Sequence, residues 1–122
     1  MKKNILLVDD EPSWLKSVSQ LLRRKGYQVK EAASAAEALV TLAKYKPDLI
    51  VSDLRMPDMN GFDFLEKVKK LPKMSMTPVV FLSAIDDFHA KKVAKELGAV
   101  ACIPKPFNKD EVIPTLEKYL PH

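Results

Sequence analysis

The chain is 122 residues long, 47% hydrophobic and 30% charged, with a formal net charge of +4; this suits one globular domain with one core, expected to span residues 1–122. A single cysteine, Cys102, excludes an internal disulfide, and two histidines late in the chain exclude zinc-ligand spacing. No apolar run approaches the roughly 20 residues of a membrane span, and the run after the first residues is too short for a signal sequence, so a soluble, cytoplasmic protein with no membrane partner is expected.

In chain order, residues 4 to 8 read as an apolar first strand. Pro12 then suits the first turn of a helix whose apolar positions Trp14, Leu15, Val18, Leu21 and Leu22 recur at helical spacing, and Gly26 stands where that helix would end. Residues 28 to 32 form a second strand that mixes polar and apolar side chains, which suits a sheet edge. Ser34 and Glu37 have the spacing of a capping box before a helix carrying Ala35, Ala38, Leu39 and Leu42. Residues 49 to 52 are a third strand, and Phe62, Leu65 and Val68 mark a third helix. Residues 78 to 82 follow as a fourth strand, then a helix with Ala90, Val93, Ala94 and Leu97 that ends at Gly98. A fifth strand over 99 to 103 leads to a last helix with Val112, Ile113, Leu116 and Leu120, its start marked by Asn108 with Glu111 and by Phe107 as a staple onto Val112. Pro114 is the misfit: in a regular helix interior it costs up to ~3 kcal/mol, so a kink or a late helix start is expected.

Strands alternating with helices give an α/β fold, a parallel sheet covered on both faces. With the second strand at an edge, the five-stranded sheet is doubly wound in the order 2-1-3-4-5. Right-handed crossovers then put two of the five helices on one face and three on the other, a flavodoxin-like arrangement. The basic residues fall in short groups, Arg23 to Lys25, Lys67 to Lys73 and Lys91 to Lys95, read as solvated helix faces. With no helix-turn-helix or other nucleic-acid motif, no direct nucleic-acid binding is expected.

Ligands of open parallel sheets bind beyond the carboxyl ends of the strands near the switch in strand order. The residues there are Asp9, Asp10 and Glu11 after the first strand, Asp53 after the third, Ser83 after the fourth and Lys105 after the fifth. Carboxylates gathered this closely repel by about 4 kcal/mol per pair at about 4 Å and an effective dielectric of about 20. A hard divalent cation such as Mg2+ and the Lys105 ammonium are the natural compensation. A carboxylate is also a nucleophile toward phosphorus, in a transfer that needs mainly positioning and charge neutralisation. Each residue alone has a plainer role: Asp9 and Asp10 at a helix start, Asp53 in a turn, Ser83 as a cap, Lys105 on the surface. Their joint placement at four strand ends favours the functional reading.

The segments LLVDDEP, PDLIVSDLRMPDMNGFDFL, PVVFLSA and CIPKPF resemble the motifs of the receiver domains of two-component response regulators, in order and over essentially the whole chain. That family is itself a standard example of the doubly wound order, so sheet order and resemblance are not independent. The resemblance implies that Asp53 accepts phosphate from a phosphohistidine of a sensor histidine kinase or a histidine phosphotransfer protein. It implies Mg2+, with Mn2+ as a substitute, held directly by Asp10, Asp53 and the backbone carbonyl of Arg55 and by Asp9 chiefly through water. Ser83 and Lys105 would bind phosphoryl oxygens, with backbone amides near Arg55 and Ala84 as further donors. Lys105-Pro106 resembles the family's cis peptide, and Gly61 would serve the tight turn before the third helix. Such a domain is not an enzyme in the ordinary sense. It catalyses only its own phosphorylation and slow dephosphorylation, relays its state to an output domain or partner, and is compatible with a weak or phosphorylation-dependent dimer.

One departure bears on the relay. The family places Tyr, Phe or His three residues before the lysine as a switch residue that works with the Ser83 position, and this chain has Cys102. The main rival is a pseudo-receiver, a protein-interaction module never phosphorylated, but such a domain would be expected to lose one of Asp9, Asp10, Asp53, Ser83 or Lys105. A metal-dependent hydrolase would need a further general acid or base, and no Asp-x-Asp follows the first strand and no histidine a strand end.

Overall fold

The computed structural model describes residues 3–83, 88–104 and 109–120. Its elements alternate as β1 (Asn4–Val8), α1 (Pro12–Arg24), β2 (Gln28–Ala32), α2 (Ala35–Leu42), β3 (Leu49–Asp53), α3 (Gly61–Lys70), β4 (Val79–Ser83), α4 (Phe88–Glu96), β5 (Ala101–Pro104) and α5 (Lys109–Glu117). All strand pairs are parallel and the order is β2-β1-β3-β4-β5, as the alternation and the polar second strand require.

Successive side chains on a strand point to opposite faces, so each central strand feeds two cores. Leu6, Val8, Ile50 and Phe81 pack with Ala38 of α2, Phe64, Leu65 and Val68 of α3 and Ala94 of α4. Ile5, Leu7, Val51 and Val80 pack with Val18 and Leu22 of α1 and Val112, Ile113 and Leu116 of α5. Three helices therefore cover one face and two the other.

The edge strand β2 is largely exposed and is tied down from α1: the Arg23 guanidinium donates to the Val29 carbonyl at 2.9 Å and pairs with Glu31 at 3.2 Å. An occupied carbonyl and local charge discourage pairing with a foreign strand.

Several local expectations shift. β3 and β4 each end one residue later than the sequence suggests, so Asp53 and Ser83 are the last residues of their strands rather than the first beyond them. Leu54 N–H extends the ladder by donating to Leu82 O at 3.2 Å. β5 starts at Ala101 rather than at 99, because Ala99 N–H turns back to Ala94 O at the end of α4. Gly26 and Gly98 take φ of 96° and 107°, as left-handed helix ends should.

Ser34 caps α2 by accepting from Glu37 N–H at 3.1 Å, but the return bond of the Glu37 carboxylate reaches Ala33 N–H rather than Ser34. α5 does not start late; it runs through Pro114, which lies on the exposed side while Val112 and Ile113 are buried, and whose carbonyl still accepts from Lys118 N–H at 3.3 Å. Lys69 is not on a solvated face: it is half-buried, donates to Thr77 O at 2.6 Å, and burial lowers its pKa. Lys73 lies past the end of α3, not on it. The Asn108 and Glu111 cap and the Phe107 staple fall outside the described residues and side chains.

Candidate functional site

β1 and β3 are neighbours, so the chain segments leaving them emerge side by side at the carboxyl edge of the sheet. Asp9 follows β1 and is buried, at 4% exposure. Its N–H donates to Ala32 O, continuing the β1–β2 ladder, and its Oδ1 accepts the Glu11 N–H at 2.9 Å. That short local bond orients the carboxylate and fits the tendency of aspartate to bind its own backbone two residues on. Asp10 is exposed and Asp53, at the end of β3, is half-buried. The Arg55 N–H lies 3.4 Å from Asp53 Oδ1, a long contact of the same local kind.

Asp9, Asp10 and Asp53 each offer a carboxylate oxygen, and these oxygens all lie within 4.8 Å of one another. Three hard anionic donors at that spacing suit a hard divalent cation with oxygen ligands, and their differing burial leaves an open side for other ligands. The structure thus brings together three of the residues singled out from the sequence. Ser83 is described as the last residue of β4, opposite Pro104, and Lys105, Pro106 and Ala84 lie outside the described residues. Cys102 lies opposite Phe81 in register, is half-buried, and lines a cavity of about 490 Å³ with Lys92, Lys95, Ile103, Thr115 and Tyr119, between α4, β5 and α5.

The loop from Leu54 to Gly61 closes on itself through Gly61 N–H to Leu54 O at 2.7 Å. A Cβ on Gly61 would stand 2.9 Å from Leu54 O and 2.9 Å from its Cδ1, so the position needs glycine for close approach rather than for a left-handed backbone. Sequence reasoning missed two polar groups in this loop. Asn60 caps α3 by accepting the Asp63 N–H at 2.9 Å, a role its spacing from Asp63 could have signalled. Asp58 accepts N–H groups of α2, 22 and 23 residues away in the chain, and no local pattern announces that.

The family model for the response regulator receiver domain matches residues 5–117. The chain belongs to the response regulator receiver family. Among curated relatives of this receiver domain, sporulation initiation phosphotransferase F of Bacillus subtilis is 32% identical over 121 residues, covering 99% of the chain and 96% of the relative. The transcriptional regulatory protein KdpE of Mycobacterium tuberculosis is 38% identical over 112 residues, 92% of the chain but 48% of the relative, so the receiver spans about half of that regulator. Among solved structures, the chemotaxis response regulator CheY4 of Vibrio cholerae superposes with a TM-score of 0.93 at 35% identity, covering 98% of this chain and all of that one. Among the described residues, no helix is long and apolar enough to cross a membrane.

Proposed function

We propose that this receiver domain takes a phosphoryl group onto Asp53 from a phosphohistidine, supplied by a sensor histidine kinase or a histidine phosphotransfer protein, in a reaction that requires Mg2+ or Mn2+. The observation that carries the reading is the convergence of Asp9, Asp10 and Asp53 from two adjacent strand ends to within 4.8 Å. These carboxylates, with the Arg55 carbonyl, would hold the cation, which when bound offsets the charge of carboxylates and phosphoryl oxygens alike. An oxygen of Asp53 attacks phosphorus as the phosphorus–nitrogen bond breaks, and the bonding pair leaves with the imidazole. Asp9, pinned by the Glu11 N–H, would present its carboxylate beside that of Asp53. Ser83 and Lys105 are assigned to the phosphoryl oxygens, the lysine as a point charge.

The domain then passes its state to an output domain or partner from a cytoplasmic location. Cys102 is too small to act as a swinging aromatic, so the response is assigned to residues 83 to 92. Amide shifts on adding beryllofluoride and magnesium, a stand-in for the phosphoryl group, should be larger there than around residue 102.

Intact-mass measurement after incubation with acetyl phosphate tests the central claim. The native chain should gain one phosphate with Mg2+ and none with excess chelator, and Asp53→Asn should gain none. Equal labelling of both chains would remove Asp53 as the acceptor.

A further inference from the structure

Asp58 lies in the connection between β3 and α3, five residues past Asp53, yet its carboxylate serves a different helix. Its Oδ2 accepts the Ala36 N–H at 2.9 Å and its Oδ1 lies 3.4 Å from the Ala35 N–H. These are the first two residues of α2, where backbone N–H groups lack intrahelical partners and the helix dipole favours negative charge. The third N–H of the helix, that of Glu37, goes to Ser34 Oγ at 3.1 Å. α2 therefore takes one cap from its own approach and the other from the loop that leaves Asp53.

That loop is held at two places. At its start Leu54 is buried, with its N–H on Leu82 O and its carbonyl on Gly61 N–H, and Met56 is buried in the same core as Ala35. At its tip Asp58 grips α2. Arg55, exposed, sits between the buried Leu54 and Met56 and three residues before Asp58, and its N–H points to Asp53 Oδ1.

We infer that Asp58 is a positioning residue for the acidic site: by clamping the loop to the first turn of α2, it sets the backbone at Arg55 and hence the third side of the cation site. The inference rests on the proposed role of that site. It makes α2 and the Asp53 loop one mechanical unit, so a partner that moves the first turn of α2 would change cation affinity without touching a carboxylate of the site.

The test compares Asp58→Ala with Ser34→Ala, which removes the other α2 cap but leaves the loop alone, and with Asp58→Asn, which keeps one acceptor. Two readouts are taken: Mn2+ affinity by titration calorimetry, and amide hydrogen exchange of residues 54 to 57 in metal-free buffer. Asp58→Ala should weaken Mn2+ binding at least fivefold and speed exchange in the loop at least tenfold. Asp58→Asn should fall between it and the native chain, and Ser34→Ala should match the native chain on both readouts. Equal effects of Asp58→Ala and Ser34→Ala, or none from Asp58→Ala, would overturn the clamp. Should the native chain bind no Mn2+, the cation reading falls, and exchange in the loop still decides whether Asp58 holds it.

Discussion

Strand β3 begins just after one aspartate and ends on another, and the two have opposite uses. Asp48, at the entry, forms a closed pair with the first residue of β1: its N–H donates to Asn4 O at 2.7 Å and its Oδ2 accepts the Asn4 N–H at 2.8 Å. Asp53, at the exit, faces two other carboxylates. The entry carboxylate satisfies backbone groups and locks the register of β1 on β3, whereas the exit carboxylate lies within 4.8 Å of two others. The surroundings follow the same division. At the entry end, Lys44, Lys46 and Lys73 rim a cavity of about 400 Å³ beside Tyr45, whose ring carries the Lys30 ammonium at 5.2 Å, and Tyr45 is pushed up by burial and then by the Asp48 charge. Within β3, then, the aspartate at the amino end serves register and the one at the carboxyl end joins the acidic cluster.

The largest contrast is in chemistry. Asp53→Asn should abolish phosphate uptake from acetyl phosphate, while Asp48→Asn should leave uptake within about twofold, given that Asp48 lies a whole strand length from the site, about 17 Å. Uptake lost equally in both would erase the division between the ends.

In stability the two aspartates change places, and the exit loop adds a cost of its own at Gly61. Gly61→Ala should cost about 2 to 3 kcal/mol by urea titration, because the added methyl meets backbone as well as side chain of Leu54. Asp48→Ala should cost about 2 kcal/mol, the worth of a charged acceptor taken from a partly buried N–H. Asp53→Asn in metal-free buffer should instead raise stability, since it relieves repulsion with Asp9 and Asp10. A destabilised Asp53→Asn would mean that the site is not under electrostatic strain.

A pH effect marks a third region, where the turn after α1 meets α5. Burial, then the hydrogen bond and charge of Glu117, push the Tyr27 phenol up to about 12. A phenol raised in the folded state contributes stability fully present below the unfolded value of about 10 and lost as pH rises through the folded value. Stability of the native chain should therefore fall between about pH 10 and 12 more steeply than that of Tyr27→Phe. Parallel curves would remove the Tyr27–Glu117 contact from the account.

The smallest effect belongs to α1. Ser19 is fully buried and its Oγ is the one buried side-chain polar atom without a partner among the described residues. Ser19→Ala should stabilise the chain by about 1 kcal/mol, by removing an unmet hydroxyl and adding a better helix former, with no change in phosphate uptake.

How much of this was legible beforehand divides by range. The helix stripes, the positive-φ glycines and the apolar central strands are local patterns, and the elements came out close to where their periodicity put them, although α5 ends at Glu117, short of Leu120. Some errors are local, such as the Glu37 return bond and the late start of β5, and others lie where a more distant partner decides. Asp53 and Ser83 extend their strands because neighbouring strands continue alongside. Lys69 looked like a solvated base because helical spacing alone could not show that the segment 75 to 77 folds back over it. Of the candidate site, Asp9, Asp10 and Asp53 were readable because the position after a parallel strand is where ligands meet such a sheet.

By itself, the order of residues determined the alternation of strands and helices, the edge place of β2 and the three aspartates at strand ends, since hydrophobic period and capping act over a few residues. Only the tertiary structure decided that Asp58 belongs to α2, that Gly61 is needed for its closeness to Leu54, and that Asp48 joins β1. Those bonds link groups with no shared local pattern, and they exist only once the sheet has brought them within reach.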